Sequence, residues 1–99
     1  MNKILVTRKL LKSNEERLSR LFDAKLNLND EIYSQNKLIE LSKDCDGILC
    51  SMIDKIDEKT INQLSNSIKI LSNYAVGFGN IDLKAAAKKK LLLLILLMF

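Results

Sequence analysis

The sequence predicts an α/β domain of flavodoxin-like, three-layer architecture, in which helices flank a mostly parallel sheet of four or five strands. Short apolar runs alternate with longer amphipathic stretches, which is the pattern of repeated strand–helix units. Residues 47–50 read G-I-L-C, an almost wholly apolar run typical of a strand buried on both faces of a parallel sheet. A length of 99 residues suits one such domain with strand order 2-1-3-4-5.

The first half of the chain predicts two strands and two helices. The β-branched run Lys3–Thr7 predicts a central strand, and the alternation of apolar and polar residues in Lys25–Leu28 predicts an edge strand. Between them, Ser13 and Glu16 have the S-x-x-E spacing of a capping box, which predicts a helix start. Ser34 predicts the start of the second helix, whose apolar residues are Leu38, Ile39 and Leu41.

The second half repeats the pattern. Gly47–Cys50 and Ile68–Ser72 predict the third and fourth strands, and Asp57 predicts the cap of a short helix between them. After the fourth strand, Asp82 predicts the start of a helix over Leu83–Lys90. The sequence therefore predicts right-handed crossovers between parallel strands throughout.

The turn between the fourth strand and the last helix contains two glycines, Gly77 and Gly79, spaced G-x-G. A strand, a glycine turn and a helix N-terminus together present free backbone N–H groups that can bind an anion. Glycine is expected there because it tolerates positive φ and lets a ligand approach the backbone. A tight connection without a ligand has the same spacing, so the spacing alone leaves both interpretations open.

The residues around this turn carry a resemblance. Residues 71–82, L-S-N-Y-A-V-G-F-G-N-I-D, resemble the pattern I-S-N-Y-A-V-G-x-x-N-I-D of the D-isomer-specific 2-hydroxyacid dehydrogenases, especially the glyoxylate and hydroxypyruvate reductases. The runs I-L-V-T-R-K-L at residues 4–10 and D-C-D-G-I-L-C at residues 44–50 resemble the same family at the same offsets. The resemblance extends to about residue 90 and implies a truncated N-terminal part of the substrate-binding, or catalytic, domain.

The resemblance implies an NAD(P)-dependent enzyme that interconverts 2-keto acids, of the glyoxylate or hydroxypyruvate type, and D-2-hydroxy acids. In the family, the acid lies between this domain and a cofactor domain, and backbone N–H groups of the glycine turn bind its carboxylate. The implied substrate-binding positions are Ala75, Val76 and Gly77 in the turn, with Cys50 and Ser51 after the third strand.

Four further residues near the turn have two interpretations each. Asn73 and Tyr74 either contact the substrate or only shape the turn. Asn80 and Asp82 are expected to cap the following helix rather than to act in catalysis.

The chain is expected to supply no catalytic or cofactor-binding residue of its own. The dinucleotide fingerprint G-x-G-x-x-G is absent, since Gly77-x-Gly79 has no third glycine at the required place. No histidine is present as a base for Cys50 or Ser51, and the resemblance places the catalytic arginine, glutamate and histidine of the family beyond this chain. The fragment alone is therefore expected to be inactive and to bind neither NAD nor NADP, whereas full-length relatives are expected to be homodimers.

The competing interpretation is a stand-alone α/β binding or receiver-like module for an acidic ligand. A receiver is expected to have an acidic cluster after its first strand, whereas this chain has Arg8 and Lys9 there. The two cations are either solvated surface residues or a source of positive potential near the cleft.

Composition argues against several other classes. No basic face with interleaved aromatic residues accompanies the net charge of +4, so nucleic acid is not an expected partner. Cys45 and Cys50 do not have C-x-x-C spacing, and the sequence contains no histidine as a further metal ligand. We therefore expect reduced thiols and no metal site. Arg8 and Lys9 interrupt the N-terminal apolar stretch too early for a signal peptide, so a cytoplasmic protein is expected.

Residues 91–99, L-L-L-L-I-L-L-M-F, form an apolar tail without a charge or a turn residue. The tail is shorter than the roughly 20 residues of a membrane-spanning helix, so no membrane contact is expected. Leucine favours a continuation of the helix Leu83–Lys90, and a fifth buried strand is the alternative.

The resemblance suggests an origin for this tail. Relatives have at this place a strand reading approximately I-A-V-T-N-T-P-D-V. When each residue of that strand takes its codon ending in T, reading one base later gives L-L-L-L-I-L-L-M-F if the next base is also T. Residues 1–90 are therefore expected to be an incomplete substrate-binding domain, and residues 91–99 to be a frameshift product.

Overall fold

The computed structural model describes residues 1–74 and 77–95. Its five-stranded sheet has the order β2-β1-β3-β4-β5, and all neighbouring strands are parallel. The predicted flavodoxin-like architecture and strand order are confirmed. The elements are β1 (Lys3–Val6), α1 (Lys12–Leu21), β2 (Asp23–Lys25), α2 (Gln35–Leu41), β3 (Gly47–Ser51), α3 (Glu58–Gln63), β4 (Ile70–Tyr74), α4 (Leu83–Lys88) and β5 (Leu92–Ile95).

The apolar core lies on one face of the sheet, under α2, α3 and α4. Side chains alternate along each strand, so Leu5, Ile48 and Leu71 project to the same face, each at most 1% exposed. They pack against Leu38, Ile61, Leu64, Ala85 and Ala86. Each fully buried large aliphatic side chain contributes about 1.5–3 kcal/mol, so this layer dominates the hydrophobic stabilisation.

The opposite face of the sheet is covered unevenly. Leu18 and Phe22, from α1 and its end, lie beside Ile4 and Ile70 on this face, and Leu49 is buried there. Among the described residues, α1 is the one helix on this side, because α2, α3 and α4 pack side by side on the other. The half of this face near β5 is therefore open.

Three of the predicted helix starts are confirmed. The side chains of Ser34, Asp57 and Asp82 each accept a hydrogen bond from the backbone N–H three residues later, at 3.1, 2.9 and 3.0 Å. Each cap satisfies one N–H group that has no partner within its helix.

The predicted capping box at Ser13 and Glu16 is wrong. The helix α1 begins at Lys12, and Leu11 before it provides no side-chain cap. Glu15 acts instead: its buried carboxylate accepts a hydrogen bond from the backbone N–H of Leu10 at 3.2 Å. That contact fixes the chain just before the helix, so the helix starts upstream of Ser13.

The edge strand β2 is Asp23–Lys25, which overlaps the predicted Lys25–Leu28 only at its last residue. Because α1 ends at Leu21 and the chain then extends directly, the register with β1 begins at the pair Lys3 and Asp23. The bounds of β1, β3 and β4 lie within two residues of the predicted ones.

The last helix ends earlier than predicted, at Lys88 rather than Lys90. Lys90 has a φ of 58°, a left-handed conformation that turns the chain back towards the sheet. Leu92–Ile95 then pairs in parallel with β4, so the start of the apolar tail takes the fifth-strand alternative. Residues 96–99 lie outside the described part of the chain.

Gly47 offers a test of the packing between β3 and β4. A Cβ added there would lie 2.6 Å from Ile70 Cγ2 and 3.4 Å from the Ile70 carbonyl oxygen. Gly47→Ala is therefore expected to lower the free energy of unfolding by about 1–3 kcal/mol. At about 4–8 °C per kcal/mol, calorimetry will resolve the fall in melting temperature.

Gly79→Ala is the matched control, because a Cβ at Gly79 would meet no heavy atom within 4 Å. Its melting temperature is expected to stay close to that of the unchanged chain. Equal melting temperatures for the Gly47 and Gly79 variants would contradict the close approach of the two strands.

Candidate functional site

The carboxyl ends of β1, β3 and β4 meet at one edge of the sheet, where ligands bind in open α/β folds. Thr7 follows β1, Ser51 ends β3 and Asn73 lies near the end of β4. All three are buried, at 0%, 7% and 0% exposure. Their side chains form hydrogen bonds within two groups, one around a carboxylate and one around a pair of amides.

The first group surrounds Asp54, which lies in the loop after β3 and is 5% exposed. One of its oxygens, Oδ2, accepts hydrogen bonds from the Thr7 hydroxyl, the Ser51 backbone N–H (2.9 Å) and the Ser51 hydroxyl (3.2 Å). Three donors on one oxygen offset much of the cost of burying a carboxylate. The group joins the ends of β1 and β3, the two neighbouring strands between which the order of strands across the sheet changes direction.

The second group is a pair of asparagine side chains, Asn73 and Asn80, which donate to each other at 2.8 and 3.2 Å. Asn73 Nδ2 also donates to the carbonyl of Gly77 at 2.7 Å. Asn80 Nδ2 also donates to the carbonyls of Ser51 (3.0 Å) and Asp54 (2.9 Å). The amide pair therefore joins the glycine turn after β4 to the loop after β3.

Backbone bonds reinforce this connection between the two loops. The Ile56 N–H donates to the Asn80 carbonyl, and the Asp82 N–H donates to the Ile56 carbonyl, each at 2.9 Å. Ile56 and Ile81 form an isolated parallel bridge as a result. The turn thus approaches α4 along a short strand-like pairing rather than as a free loop.

The predicted turn residues are only partly within the described structure. Ala75 and Val76 lie outside the described residues. Gly77 is half-buried, and its carbonyl is held by Asn73. Because C=O and N–H point in opposite directions across a trans peptide, the following N–H, that of Phe78, is directed away from Asn73.

The other predicted substrate-binding residues, Cys50 and Ser51, lie beneath the turn. The Cys50 thiol is 1% exposed and lies 3.4 Å from Asn73 Oδ1 and 3.6 Å from the carbonyl of Ser72. Burial, and then the nearby Asp54 carboxylate, raise the pKa of Cys50 to about 12. The thiol therefore stays protonated at neutral pH, which makes it unsuitable as a nucleophile.

One of the two expected reasons for glycine in the turn, a positive φ, is wrong. Among the described glycines none has a positive φ, and a Cβ at Gly77 or Gly79 would meet no heavy atom within 4 Å. The left-handed positions of the described chain are instead Asp30 and Lys90. Neither the backbone conformation nor contacts with the other described residues demand glycine at position 77, and the approach of a ligand to this position stays a prediction.

The four residues beside the turn were expected either to shape the turn or cap the next helix, or to act on the substrate. Asp82 caps α4 as expected, whereas the side chain of Asn80 contacts the β3 loop and does not cap the helix. Asn73 is fully buried and shapes the turn, and Tyr74 is 37% exposed.

Arg8 and Lys9 are tied to acidic partners. Arg8 forms two hydrogen bonds with the Asp30 carboxylate, at 2.7 and 2.9 Å, and the Lys9 backbone N–H donates to the same group at 3.0 Å. The Arg8 side chain, and then the Lys9 N–H, hold the pKa of Asp30 well below its usual range. The Lys9 ammonium lies 3.3 Å from Glu15. The two cations thus fix the loops after β1 and β2, with much of their charge compensated locally.

Two side chains that organise this edge, Asp54 and Asn27, are not among the sequence-predicted site residues. Asn27, 4% exposed, donates to the carbonyls of Thr7 (2.9 Å) and Glu31 (2.7 Å). A polar residue three positions after a buried strand, as Asp54 is, was the available signal. Asn27 gives no such signal, because its contact with Thr7 depends on the pairing of β2 with β1.

Within residues 1–74 and 77–95, no group of three or more histidine, cysteine, aspartate or glutamate side chains is arranged to hold a metal ion. Nor does any helix in this part of the chain have the length and apolar character needed to cross a bilayer.

Sequence comparison relates this domain to known proteins. Residues 4–95 match the family described as D-isomer specific 2-hydroxyacid dehydrogenase, catalytic domain. A glyoxylate reductase of Thermococcus onnurineus (strain NA1) is 30% identical over 86 residues, which cover 87% of this chain and 25% of that protein. A glycerate dehydrogenase of Hyphomicrobium methylovorum is 30% identical over 83 residues, which cover 84% and 26%. The chain thus spans about a quarter of the length of the curated relatives it matches.

Solved structures share the fold. The PH0520 protein from Pyrococcus horikoshii OT3 has a TM-score of 0.84 at 25% identity and covers 97% of this chain, which corresponds to 28% of that one. An NAD+-bound 3-phosphoglycerate dehydrogenase of Entamoeba histolytica has a TM-score of 0.77 at 23% identity, over 95% of this chain and 32% of that one.

The amide of Asn80 provides a stability test of the site. Asn80→Ala leaves the carbonyls of Ser51 and Asp54 and the amide of Asn73 without this partner. An unsatisfied buried polar group costs about 1–3 kcal/mol, so we expect the free energy of unfolding in urea to fall by roughly 2–4 kcal/mol. Asn62→Ala, at an exposed position of α3, is the control and is expected to change it by less than about 0.5 kcal/mol. A similar small change for both variants would show that the amide pair does not hold the two loops together.

Proposed function

The chain belongs to the D-isomer specific 2-hydroxyacid dehydrogenase family, and we propose that it is the substrate-binding portion of an NAD(P)-dependent enzyme. The enzyme interconverts small 2-keto acids, of the glyoxylate or hydroxypyruvate type, and D-2-hydroxy acids. The family match over residues 4–95 carries this proposal. The names of two relatives, a glyoxylate reductase and a glycerate dehydrogenase, support a small carboxylic acid as the ligand.

The turn after β4 is the proposed binding site for the carboxylate of this acid. Backbone N–H groups of Val76 and Gly77 donate to it, with Ala75 beside them and with Cys50 and Ser51 forming the floor. Support comes from the position of the turn at the carboxyl edge of the sheet and from the open space in front of Gly77. Backbone donors bind a carboxylate without the cost of burying a lysine or arginine side chain.

The role of this part is to bind and orient the acid rather than to supply a proton or a hydride. The chain has no histidine, and the Cys50 thiol, with its pKa raised to about 12, is a poor proton donor at neutral pH. Its three glycines, Gly47, Gly77 and Gly79, do not form a G-x-G-x-x-G fingerprint, so the residues of this chain do not fit a dinucleotide. The hydride donor and the proton donor belong to the remainder of the proposed enzyme, and the chain alone is inactive.

We also propose that the reading frame changes after residue 90, so that residues 91–99 are a frameshift product. When each residue of the fifth strand implied by the family resemblance takes its codon ending in T, a one-base shift produces the tail L-L-L-L-I-L-L-M-F. The lysine run at residues 88–90 has A-rich codons, where a slip is favoured. The DNA beyond codon 90 can be sequenced and translated in all three frames. One of the other frames is expected to encode the implied fifth strand, which ends in Pro-Asp-Val, and to continue with the family pattern after it. An unrelated intact gene end there would refute the shift.

The functional test uses a chimera in which residues 1–90 replace the corresponding segment of the Thermococcus onnurineus glyoxylate reductase. The chimera is expected to oxidise NADH or NADPH with glyoxylate or hydroxypyruvate, whereas the unchanged 99-residue chain is expected to give only the rate of a blank. Turnover by the chain alone would contradict the proposal that it is only the substrate-binding portion. A folded chimera without turnover would contradict the assignment of the substrate class.

Within this chimera, Gly77→Val separates binding from stability. A side chain at position 77 enters the space proposed for the carboxylate, while no heavy atom of the described residues, its chain neighbours aside, lies within 4 Å of its Cβ. Loss of one charge-assisted hydrogen bond, about 1.5–3 kcal/mol, corresponds to a loss in kcat/KM on the order of tenfold to a hundredfold, seen mainly in KM. The melting temperature is expected to stay within a few degrees. Gly79→Val is the matched control, with equal space and no expected change in KM; identical kinetics for both variants would place the carboxylate elsewhere.

A further inference from the structure

Every polar group of Ser51, the last residue of β3, takes part in a hydrogen bond. Its backbone N–H and its hydroxyl both donate to Asp54 Oδ2, at 2.9 and 3.2 Å. Its carbonyl accepts from the Asp54 N–H and from the Asn80 side-chain amide, each at 3.0 Å. A satisfied buried network of this kind is rigid, so the Ser51 hydroxyl oxygen has a fixed position.

The direction of these bonds decides what the hydroxyl can offer a ligand. A serine hydroxyl has one proton to donate and two lone pairs that accept. Asp54 Oδ2 already receives the Thr7 hydroxyl and the Ser51 N–H, so it acts as an acceptor, and the Ser51 proton is directed at it. The remaining capacity of the Ser51 hydroxyl is to accept. A ligand group that bonds to it must therefore be a donor.

The position of Ser51 brings this oxygen to the proposed binding site. Thr7 is 0% and Cys50 1% exposed, whereas Ser51 keeps 7% of its surface. Ser51 pairs in register with Tyr74, three residues before Gly77, and neighbouring strands lie about 5 Å apart. Of these three side chains, that of Ser51 is thus the one that retains surface at the point where the turn after β4 begins.

Given the proposed binding of the acid at this turn, on which the inference rests, we propose that Ser51 determines which acid is bound. Its oxygen accepts a hydrogen bond from a hydroxyl group on the third carbon of the substrate, next to the keto carbon. Asp54 is a positioning residue, because it holds the Ser51 proton away from that hydroxyl.

The two candidate acids differ at this point. Hydroxypyruvate has a hydroxyl on its third carbon, which can donate to the Ser51 oxygen. Glyoxylate has no third carbon and gives the oxygen no donor. A site built to bond a substrate hydroxyl discriminates against an analogue that lacks it, because the buried acceptor is left without that partner. Ser51 therefore selects acids of the hydroxypyruvate type.

The test uses the chimera described above and compares kcat/KM for hydroxypyruvate with kcat/KM for glyoxylate. Ser51→Ala removes the acceptor, while Asp54 keeps the Thr7 hydroxyl and the backbone N–H of residue 51 as donors. The ratio of the two kcat/KM values is expected to fall about two- to tenfold, the factor that corresponds to one neutral hydrogen bond. The fall is expected mainly in the KM for hydroxypyruvate, since the bond lies away from the reacting carbon.

Two further serine variants separate this role from a structural one. Ser51→Thr keeps the hydroxyl and is expected to keep the ratio. Ser42→Ala is the matched control, because Ser42 is 0% exposed and its hydroxyl donates to the Ile39 carbonyl at 3.2 Å, at the end of α2. It loses a buried hydroxyl as Ser51→Ala does, and its ratio is expected to equal that of the unchanged chimera.

Asp54→Asn tests the positioning role. The amide that it introduces can donate to the Ser51 oxygen and so compete with the substrate hydroxyl. The ratio is expected to fall as it does in Ser51→Ala. A folded Asp54→Asn chimera with an unchanged ratio would show that Asp54 does not position the Ser51 proton.

The outcomes distinguish this inference from the proposed function. A chimera that reduces glyoxylate, but whose ratio is the same with and without the Ser51 hydroxyl, would overturn the inference alone. An equal fall in Ser51→Thr and Ser51→Ala, or a fall in Ser42→Ala, would also overturn it, because the loss would then follow from packing or stability. A folded chimera that reduces neither acid would overturn the proposed function, and the inference with it.

Discussion

The amide of Asn80 is the contact on which the carboxyl edge of this sheet depends. It donates to the carbonyls of Ser51 and Asp54 and exchanges hydrogen bonds with Asn73, so one side chain joins the loops after β3 and β4. A buried polar group without a partner is costly, and each of these groups is satisfied only when both loops are in place. The position of Gly77, held through Asn73, follows from the same network.

The network also gives this edge its chemical character. Its hydroxyl, amide and carboxylate groups are turned inward onto one another, and the Cys50 thiol is protonated among them, with its pKa raised by burial. Because these side chains bond to one another, the groups that this edge can offer a ligand are backbone groups of the turn. This character agrees with the proposed role of the chain, which is to bind and orient an acid.

Much of the architecture could be predicted from local patterns, because buried runs such as Gly47–Ser51 and caps such as Asp57 act within a few residues. The failures arise where distant contacts decide. The start of α1 depends on Glu15 reaching back to Leu10, and the bounds of β2 depend on its register with β1. The role of Asn80 could not be predicted for the same reason, since the carbonyls to which it donates belong to Asp54 and Ser51, 26 and 29 residues away in sequence. For Gly77, the positive φ expected from the glycine spacing is not found, because the spacing alone does not fix the backbone conformation of the turn.

A crystal structure of the chimera with bound glycolate or D-glycerate tests the assignment of the turn most directly. We predict a carboxylate oxygen about 2.7–3.2 Å from the Gly77 nitrogen, with the Asn80 amide still bonded to the carbonyls of Ser51 and Asp54. A carboxylate bound away from the turn, with those two bonds intact, would contradict it.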